Sequence, residues 1–254
     1  MSVKDPTQRF SSRVDNYVRY RPGYPPEVLE LLESECGLTQ DSVVADIASG
    51  TGILTAMLLQ YGNRVLGVEP IPDMRKAGEE RLAPYPRFTS IAGTAEATAL
   101  PDHSVDIITA AQAAHWFDRE QARREFVRIL KPGGWTVLLW NERRTGSTAF
   151  LQAYEQLLLI YGTDYQEVRH ERTTSMIGAF FAPSPFQSRV FDMRQELDYS
   201  ALEGRLLSSS YTPQPGNGNY EPMLRELRRI FDAHQISGSV CFEYDTRMFF
   251  GRLA

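Results

Sequence analysis

Val43-Val44-Ala45-Asp46-Ile47-Ala48-Ser49-Gly50-Thr51-Gly52-Ile53-Leu54-Thr55-Ala56-Met57-Leu58-Leu59 reads as a short β-branched run, a loop of small residues and an apolar run, in that order. The pattern predicts a strand over 43–47 and a helix from Ile53, with a glycine loop between them. A loop that leaves the carboxyl end of a strand and enters a helix is where open α/β sheets bind ligands, because free backbone N–H groups converge there.

The same alternation continues on either side. Pro25, Pro26 and Glu27 open a helix whose apolar residues begin at Val28. Downstream, a strand over Arg64–Val68 ends at Glu69 and a helix covers Asp73–Leu82, with further strands over Arg87–Ile91 and Val105–Ala110. Asp118 and Gln121 have the spacing of a capping box, and Phe126, Ile129 and Leu130 give the helix behind them an apolar face. Lys131-Pro132-Gly133-Gly134 is expected to stop that helix before a central strand over Trp135–Trp140, apolar throughout and so buried on both faces. Strands alternating with helices imply right-handed crossovers and a parallel sheet.

The last hundred residues are expected to add a helix over Thr148–Tyr161, strands over Arg189–Leu197 and Ser239–Phe250, and helices over Ala201–Leu207 and Pro222–Phe231. The two strands are placed as an antiparallel edge. The expected fold is thus α/β: a Rossmann-like, seven-stranded, mostly parallel sheet with helices on both faces, an antiparallel edge strand, an N-terminal lid and helical insertions. One domain is expected over 1–254, with a lid over 1–38, a cofactor-binding core over 39–142 and acceptor-site helices and closing strands over 143–254.

Composition narrows the function. Thirty-two acidic against 27 basic residues give a net charge of −5, which offers no general footprint for a polyanion, so nucleic acid is disfavoured as a partner. Two cysteines, Cys36 and Cys241, suggest neither a disulfide framework nor a zinc site, and fit a reducing compartment. The start of the chain, with Lys4, Asp5, Arg9, Arg13 and Asp15, lacks the apolar stretch of a signal peptide, and the run from Val105 to Phe117 is too short to span a bilayer. A soluble cytoplasmic protein with no membrane partner is expected. Apart from His115, the histidines His103, His170 and His234 are scattered, so no metal is expected.

The loop itself sets the ligand. Gly50-Thr51-Gly52-Ile53-Leu54-Thr55 lacks the third glycine of the dinucleotide fingerprint, and Asp46 just ahead of it would face a pyrophosphate with an unpaired negative charge. A cationic ligand suits this position better. Glu69, at the tip of the second strand, is placed to accept both hydroxyls of a ribose. S-adenosylmethionine, a nucleoside with a sulfonium and an ammonium group, meets these demands.

The stretch Val44–Gly52 resembles the first motif of the class I S-adenosylmethionine-dependent methyltransferases, of the type 11-like group. Leu66-Gly67-Val68-Glu69-Pro70 with Met74 resembles their acidic second motif, Gly93-Thr94-Ala95-Glu96 the adenine-contacting third, Ser104–Ile108 the fourth, and Leu130–Gly134 the turn before the fifth strand. The first glycine of the usual D-x-G-x-G-x-G is here Ala48, tolerable if only close approach and not a positive φ is required. Tyr20-Arg21-Pro22-Gly23-Tyr24-Pro25 and Gln112–Asp118 are similar to the small-molecule branch that includes trans-aconitate methyltransferase.

The resemblance implies a cofactor site of Arg21, Asp46, Ala48, Ser49, Gly50, Glu69, Pro70, Met74, Ala95, Glu96, Ala110 and Gln112, with S-adenosylhomocysteine as product. Arg21 would clamp a carboxylate of the cofactor or of an acidic substrate, and Met74 would stack under adenine. Asp106, at the start of its strand, reads as structural. Tyr20, Trp116, Trp140, Arg143, Phe186 and Tyr211 are candidates for a small-molecule acceptor site, and His115 is the candidate general base. Methyl transfer to an oxygen of a carboxylate or hydroxyl is the expected reaction. A catalytically idle cofactor-binding module and a nicotinamide-dependent oxidoreductase remain as alternatives.

Overall fold

The computed structural model describes residues 14–165 and 173–253. In chain order the chain forms α1 (Val14–Tyr20), α2 (Glu27–Cys36), β1 (Val43–Ile47), α3 (Ile53–Tyr61), β2 (Arg64–Val68), α4 (Pro72–Leu82), β3 (Phe88–Ile91) and β4 (Val105–Ala111). A short 3₁₀ turn (Ala114–Trp116) leads to α5 (Arg119–Ile129), β5 (Leu130–Arg143), α6 (Ala149–Tyr161), α7 (Thr173–Phe181), β6 (Phe186–Leu197), α8 (Tyr199–Leu207), α9 (Tyr220–His234) and β7 (Val240–Gly251). His170 and the charged residues between Lys4 and Arg13 lie outside the described residues.

The strands make one seven-stranded sheet in the order β3-β2-β1-β4-β5-β7-β6. It is mixed: β1 runs parallel to β2 and β4, β2 to β3, and β4 to β5, with an antiparallel edge, as the sequence predicts. The chain winds outward from β1 through β2 to β3, then returns to β4 on the other side of β1. That reversal is the switch point at which open α/β sheets leave a crevice beyond the strands' carboxyl ends. Asp46 stands there, in register with Gly67 on one side and Thr109 on the other.

Internal contacts divide the chain into two compact units. The larger comprises Gly23–Asn141, Arg172–Phe191 and Thr246–Ala254, and the smaller Met1–Pro22, Glu142–Glu171 and Asp192–Asp245. In the larger unit successive strand residues point to opposite faces. Ala45, Ile108 and Leu138 join an apolar cluster with Phe126 and Ile129 of α5, while their neighbours Val44, Ile107 and Leu139 join a second with Val28 and Leu32 of α2 and Leu54 and Leu58 of α3. Both faces are therefore covered, as strands buried in a parallel sheet require. The smaller unit has its own cluster, drawn from α6, α8, α9 and the start of β7 and including Leu157, Leu202, Leu227 and Phe242.

Lys131-Pro132-Gly133-Gly134 does not form a turn outside the strand. Val105 pairs with Leu130 and Ile107 with Trp135, so four residues of β5 stand opposite the single Asp106 of β4, a bulge inside a longer strand. Glycine makes it possible: Gly133 has φ 80°, and a Cβ on Gly134 would lie 2.9 Å from the Asp106 carbonyl oxygen. Asp106 is structural, as expected. Its Oδ2 accepts the Val43 N–H at 2.8 Å, and Lys131 Nζ donates to both of its carboxylate oxygens at 2.9 Å.

Several other boundaries move. Thr148 and Asp198 accept amides of the helices they precede, so α8 starts two residues before its predicted position. Helix α9 runs through Pro222, which sits in the first turn where no intrahelical N–H bond is needed. Helices α1 and α7 have no counterpart in the sequence reading.

Candidate active site

In the larger unit the site begins with the loop between β1 and α3. Ala48 (φ 56°), Gly50 (φ 58°) and Gly52 (φ 77°) all lie in the left-handed region. Position 48 thus demands the positive φ that its reading as a tolerable alanine assumed absent, and Ala48 carries backbone strain there. The Ser49 N–H donates to the Val68 carbonyl at 3.1 Å and the Gly52 N–H to the Ser49 carbonyl at 2.9 Å, so the loop is stapled to the end of β2 and closed on itself.

Glu69 completes that staple. One carboxylate oxygen, Oε2, accepts the Gly50 N–H at 2.8 Å and the other, Oε1, accepts the Ile71 N–H at 2.8 Å. Each carboxylate oxygen offers two lone-pair directions, so one on each remains for a further donor. Burial pushes the Glu69 carboxyl above the ordinary range, and the two amides pull it back. Pro70, which follows it, is exposed.

Asp46 is 1% exposed. Thr55 Oγ1 donates to its Oδ2 at 2.6 Å and Thr109 Oγ1 to its Oδ1 at 2.9 Å, which binds the carboxylate to both α3 and β4. Burial raises its pKa to about 6 against the pull of these hydroxyls. Neither threonine was singled out in the sequence, although Thr55 lies nine residues on, along the helix the loop feeds.

Glycines set the remaining geometry. A Cβ on Gly50 would sit 3.5 Å from Met74 Cε, so Met74 packs beside the loop from α4. A Cβ on Gly78, one turn further along α4, would lie 3.1 Å from the Gly50 carbonyl oxygen, and one on Gly67 would lie 3.1 Å from Ser49 Oγ and 2.9 Å from the Phe88 ring. Close approach of helix to loop thus depends on Gly78, a residue the sequence reading passed over.

Ala95 is buried in a turn in which Thr94 and Ala97 exchange backbone hydrogen bonds. Glu96 accepts the Asp118 N–H at 2.8 Å, immediately before α5. Ala110 is fully buried at the end of β4, and Gln112 beyond it has φ 59°. His115 and Trp116 share the 3₁₀ turn, with ring centroids 4.8 Å apart. Trp140 is fully buried, packed edge-on against Phe249.

Four predicted site residues fall in the smaller unit. The Tyr20 ring covers Gly204, where a Cβ would meet it at 2.1 Å, and the Tyr20 carbonyl accepts from Gln195. Arg21 donates to Ser208, and Tyr211 faces Tyr165 with ring centroids 4.9 Å apart. Sequence reasoning missed Tyr154 and Arg205, whereas Arg143, a candidate for the acceptor pocket, is a nearly buried cation in the same unit.

The donor set around the loop suits the expected cofactor. Asp46 and Glu69 are acceptors that favour hydroxyl and ammonium donors, and Arg75, the cation beside them, is committed to the Glu69 carbonyl at 2.9 Å. A pyrophosphate would meet two carboxylates. Among the described residues, no group of three or more His, Cys, Asp and Glu could hold a metal ion, and no helix is long and apolar enough to cross a membrane.

Comparison with known proteins agrees with this geometry. Residues 45–138 match the methyltransferase domain family. An uncharacterized methyltransferase of Mycobacterium tuberculosis is 40% identical over 142 residues, 56% of either chain, and one of Schizosaccharomyces pombe is 31% identical over 150 residues, 59% of this chain and 58% of the relative. The chain thus spans little more than half the length of the curated relatives it matches. A provisionally named type II methyltransferase of Anaeromyxobacter dehalogenans has the same fold, with a TM-score of 0.67 at 22% identity over 92% of this chain and 98% of that one. The fold is the Rossmann-like one of that methyltransferase. Over residues 45–138 the chain is similar to a methyltransferase domain.

Proposed function

We propose that this chain transfers a methyl group from S-adenosylmethionine to an oxygen of a small-molecule acceptor, a carboxylate or a hydroxyl. The observation that carries the reading is Glu69, a buried carboxylate fixed by the Gly50 and Ile71 amides with one lone pair free on each oxygen. A pair of ribose hydroxyls fits it. Asp46 supplies negative charge for the methionine ammonium, Ala48, Ser49 and Gly50 border the cofactor, Pro70 and Met74 flank its nucleoside, and Ala95 and Glu96 read the adenine. Ala110 and Gln112 face the methionine end.

When bound, the cofactor supplies an electrophilic methyl on a good leaving group. The chain's share of the work is to hold acceptor and methyl in line and to keep water out. A carboxylate acceptor needs no base. A hydroxyl acceptor needs one, and His115 is then the residue to take the proton. Turnover of His115→Gln separates the two: a fall in kcat of about a hundredfold or more marks a hydroxyl, and little change marks a carboxylate.

Isothermal titration with S-adenosylmethionine, S-adenosylhomocysteine and NAD tests the cofactor. Micromolar binding of the first two without NAD supports the reading. Binding of NAD alone would replace it with an oxidoreductase.

A further inference from the structure

In the smaller unit three arginines are gathered with, among the described residues, one carboxylate paired to them. Arg205 of α8 is 8% exposed, yet its Nη1 donates to a neutral group, Ser209 Oγ, at 3.3 Å, and it is also hydrogen-bonded to Tyr244. Its Nε is buried without a partner among the described residues. Arg143 donates through Nη2 to Glu155 and to the Tyr165 hydroxyl, its guanidinium lies 5.0 Å over the Tyr154 ring, and its Nη1 is likewise buried without a partner among the described residues. Arg21 donates to the hydroxyl and the carbonyl of Ser208, each at 3.0 Å.

These groups share one environment. Arg21 and Arg205 repel each other, and Tyr211 acts on all three guanidinium groups. Among the described residues, Glu155 is the one carboxylate within 4.0 Å of any of them, so three positive charges face one negative charge. Charges held in the interior need compensation, and hydroxyls alone do not supply it. Guanidinium forks match the planar oxygens of a carboxylate or the edge of a phosphate, and seryl and phenolic hydroxyls add further donors. Such a wall repels a sulfonium, so it differs in kind from the acidic loop of Asp46 and Glu69.

We propose that Arg21, Arg143 and Arg205 form a receptor for a small anion, a carboxylate or a phosphate carrying about two negative charges. The receptor follows from the arginines themselves.

The test is calorimetric titration of the whole chain with glutarate, citrate and inorganic phosphate, with neutral trimethyl citrate as control and S-adenosylhomocysteine in a separate cell. At least one anion is expected to bind with Kd below about 1 mM, and the neutral ester is not. Arg205→Gln is expected to weaken the anion at least tenfold while changing S-adenosylhomocysteine affinity less than threefold. Should that variant fail to fold, the less buried Arg21→Gln carries the same expectation for the anion. Which anion binds decides between carboxylate and phosphate. Absence of binding by all three anions, or equal binding by wild type and a folded variant, overturns the receptor. Anion binding without S-adenosylhomocysteine binding overturns the methyltransferase reading and leaves the receptor standing.

Discussion

The Oε2 of Glu69 accepts the N–H of Gly50 at 2.8 Å, joining the tip of β2 to the loop that leaves β1. The acid proposed to recognise the ribose is therefore also what fixes the loop's backbone. Glu69→Gln keeps the size but loses the charge and one acceptor. Cofactor affinity is expected to fall about 10- to 100-fold, the value of a hydrogen bond to a charged group, as titration with S-adenosylhomocysteine would show. Unchanged affinity would remove Glu69 from the site.

Asp46 gives a dependence on pH. Its carboxyl is held at about 6 by burial, against about 3.9 in an unfolded chain. Native protein therefore keeps its proton to higher pH than unfolded protein does, so this residue's effect on stability is least unfavourable below about pH 4, worsens between about 4 and 6, and is constant above. Asp46→Asn removes the effect. It is expected to be more stable than wild type at pH 8, by up to about 3 kcal/mol, with the gap closing toward pH 4 in urea unfolding. A variant less stable than wild type at pH 8 would show the carboxylate to be favourable where it stands.

Ala48 sits at φ 56°. Relief of left-handed strain is worth about 1–2 kcal/mol, and the greater freedom of an unfolded glycine takes back about 0.4–1 kcal/mol. Ala48→Gly is expected to raise the melting temperature by about 2–4 °C. Calorimetry that finds a lower melting temperature would mean the alanine is well accommodated.

Gly78→Ala works the other way. The new Cβ would lie 3.1 Å from the Gly50 carbonyl and 3.6 Å from the Thr51 carbonyl carbon, backbone atoms that cannot rotate aside. A cost of about 1–3 kcal/mol and weaker cofactor binding are expected. Gly178 in α7 has no atom within 4 Å of its virtual Cβ and is the matched control: Gly178→Ala is expected to be neutral or stabilising by about 0.5–1 kcal/mol. Equal effects of the two changes would refute close approach as the reason for glycine at 78.

The sheet was legible because each β-branched run and each loop behind it is a local signal. Asp46 and Glu69 were legible for the same reason, since a strand's tip is marked by the run that precedes it. Arg205 was not. On Tyr199–Leu207 it is one cation among apolar neighbours, which reads as a residue reaching for solvent, and only the packing of α8 with Tyr154 and Tyr244 closes over it. The bulge in β5 was misread because Pro132, Gly133 and Gly134 mark an interruption without saying whether the strand resumes in register. Gly78 was overlooked because one glycine within a helical pattern carries no sign of the carbonyl it must let pass.

The separate apolar clusters have an evolutionary consequence. Phe150, Leu157, Leu227 and Phe242 are enclosed within the smaller unit, as Ile47, Val68, Ile108 and Phe126 are within the larger. Substitutions far enough apart not to share neighbours add independently. Changes that remodel the proposed anion receptor at Arg143 in β5 and Arg205 in α8 fall among the neighbours of the smaller unit, so a descendant lineage can alter that receptor's ligand while inheriting the loop of Asp46 and Glu69.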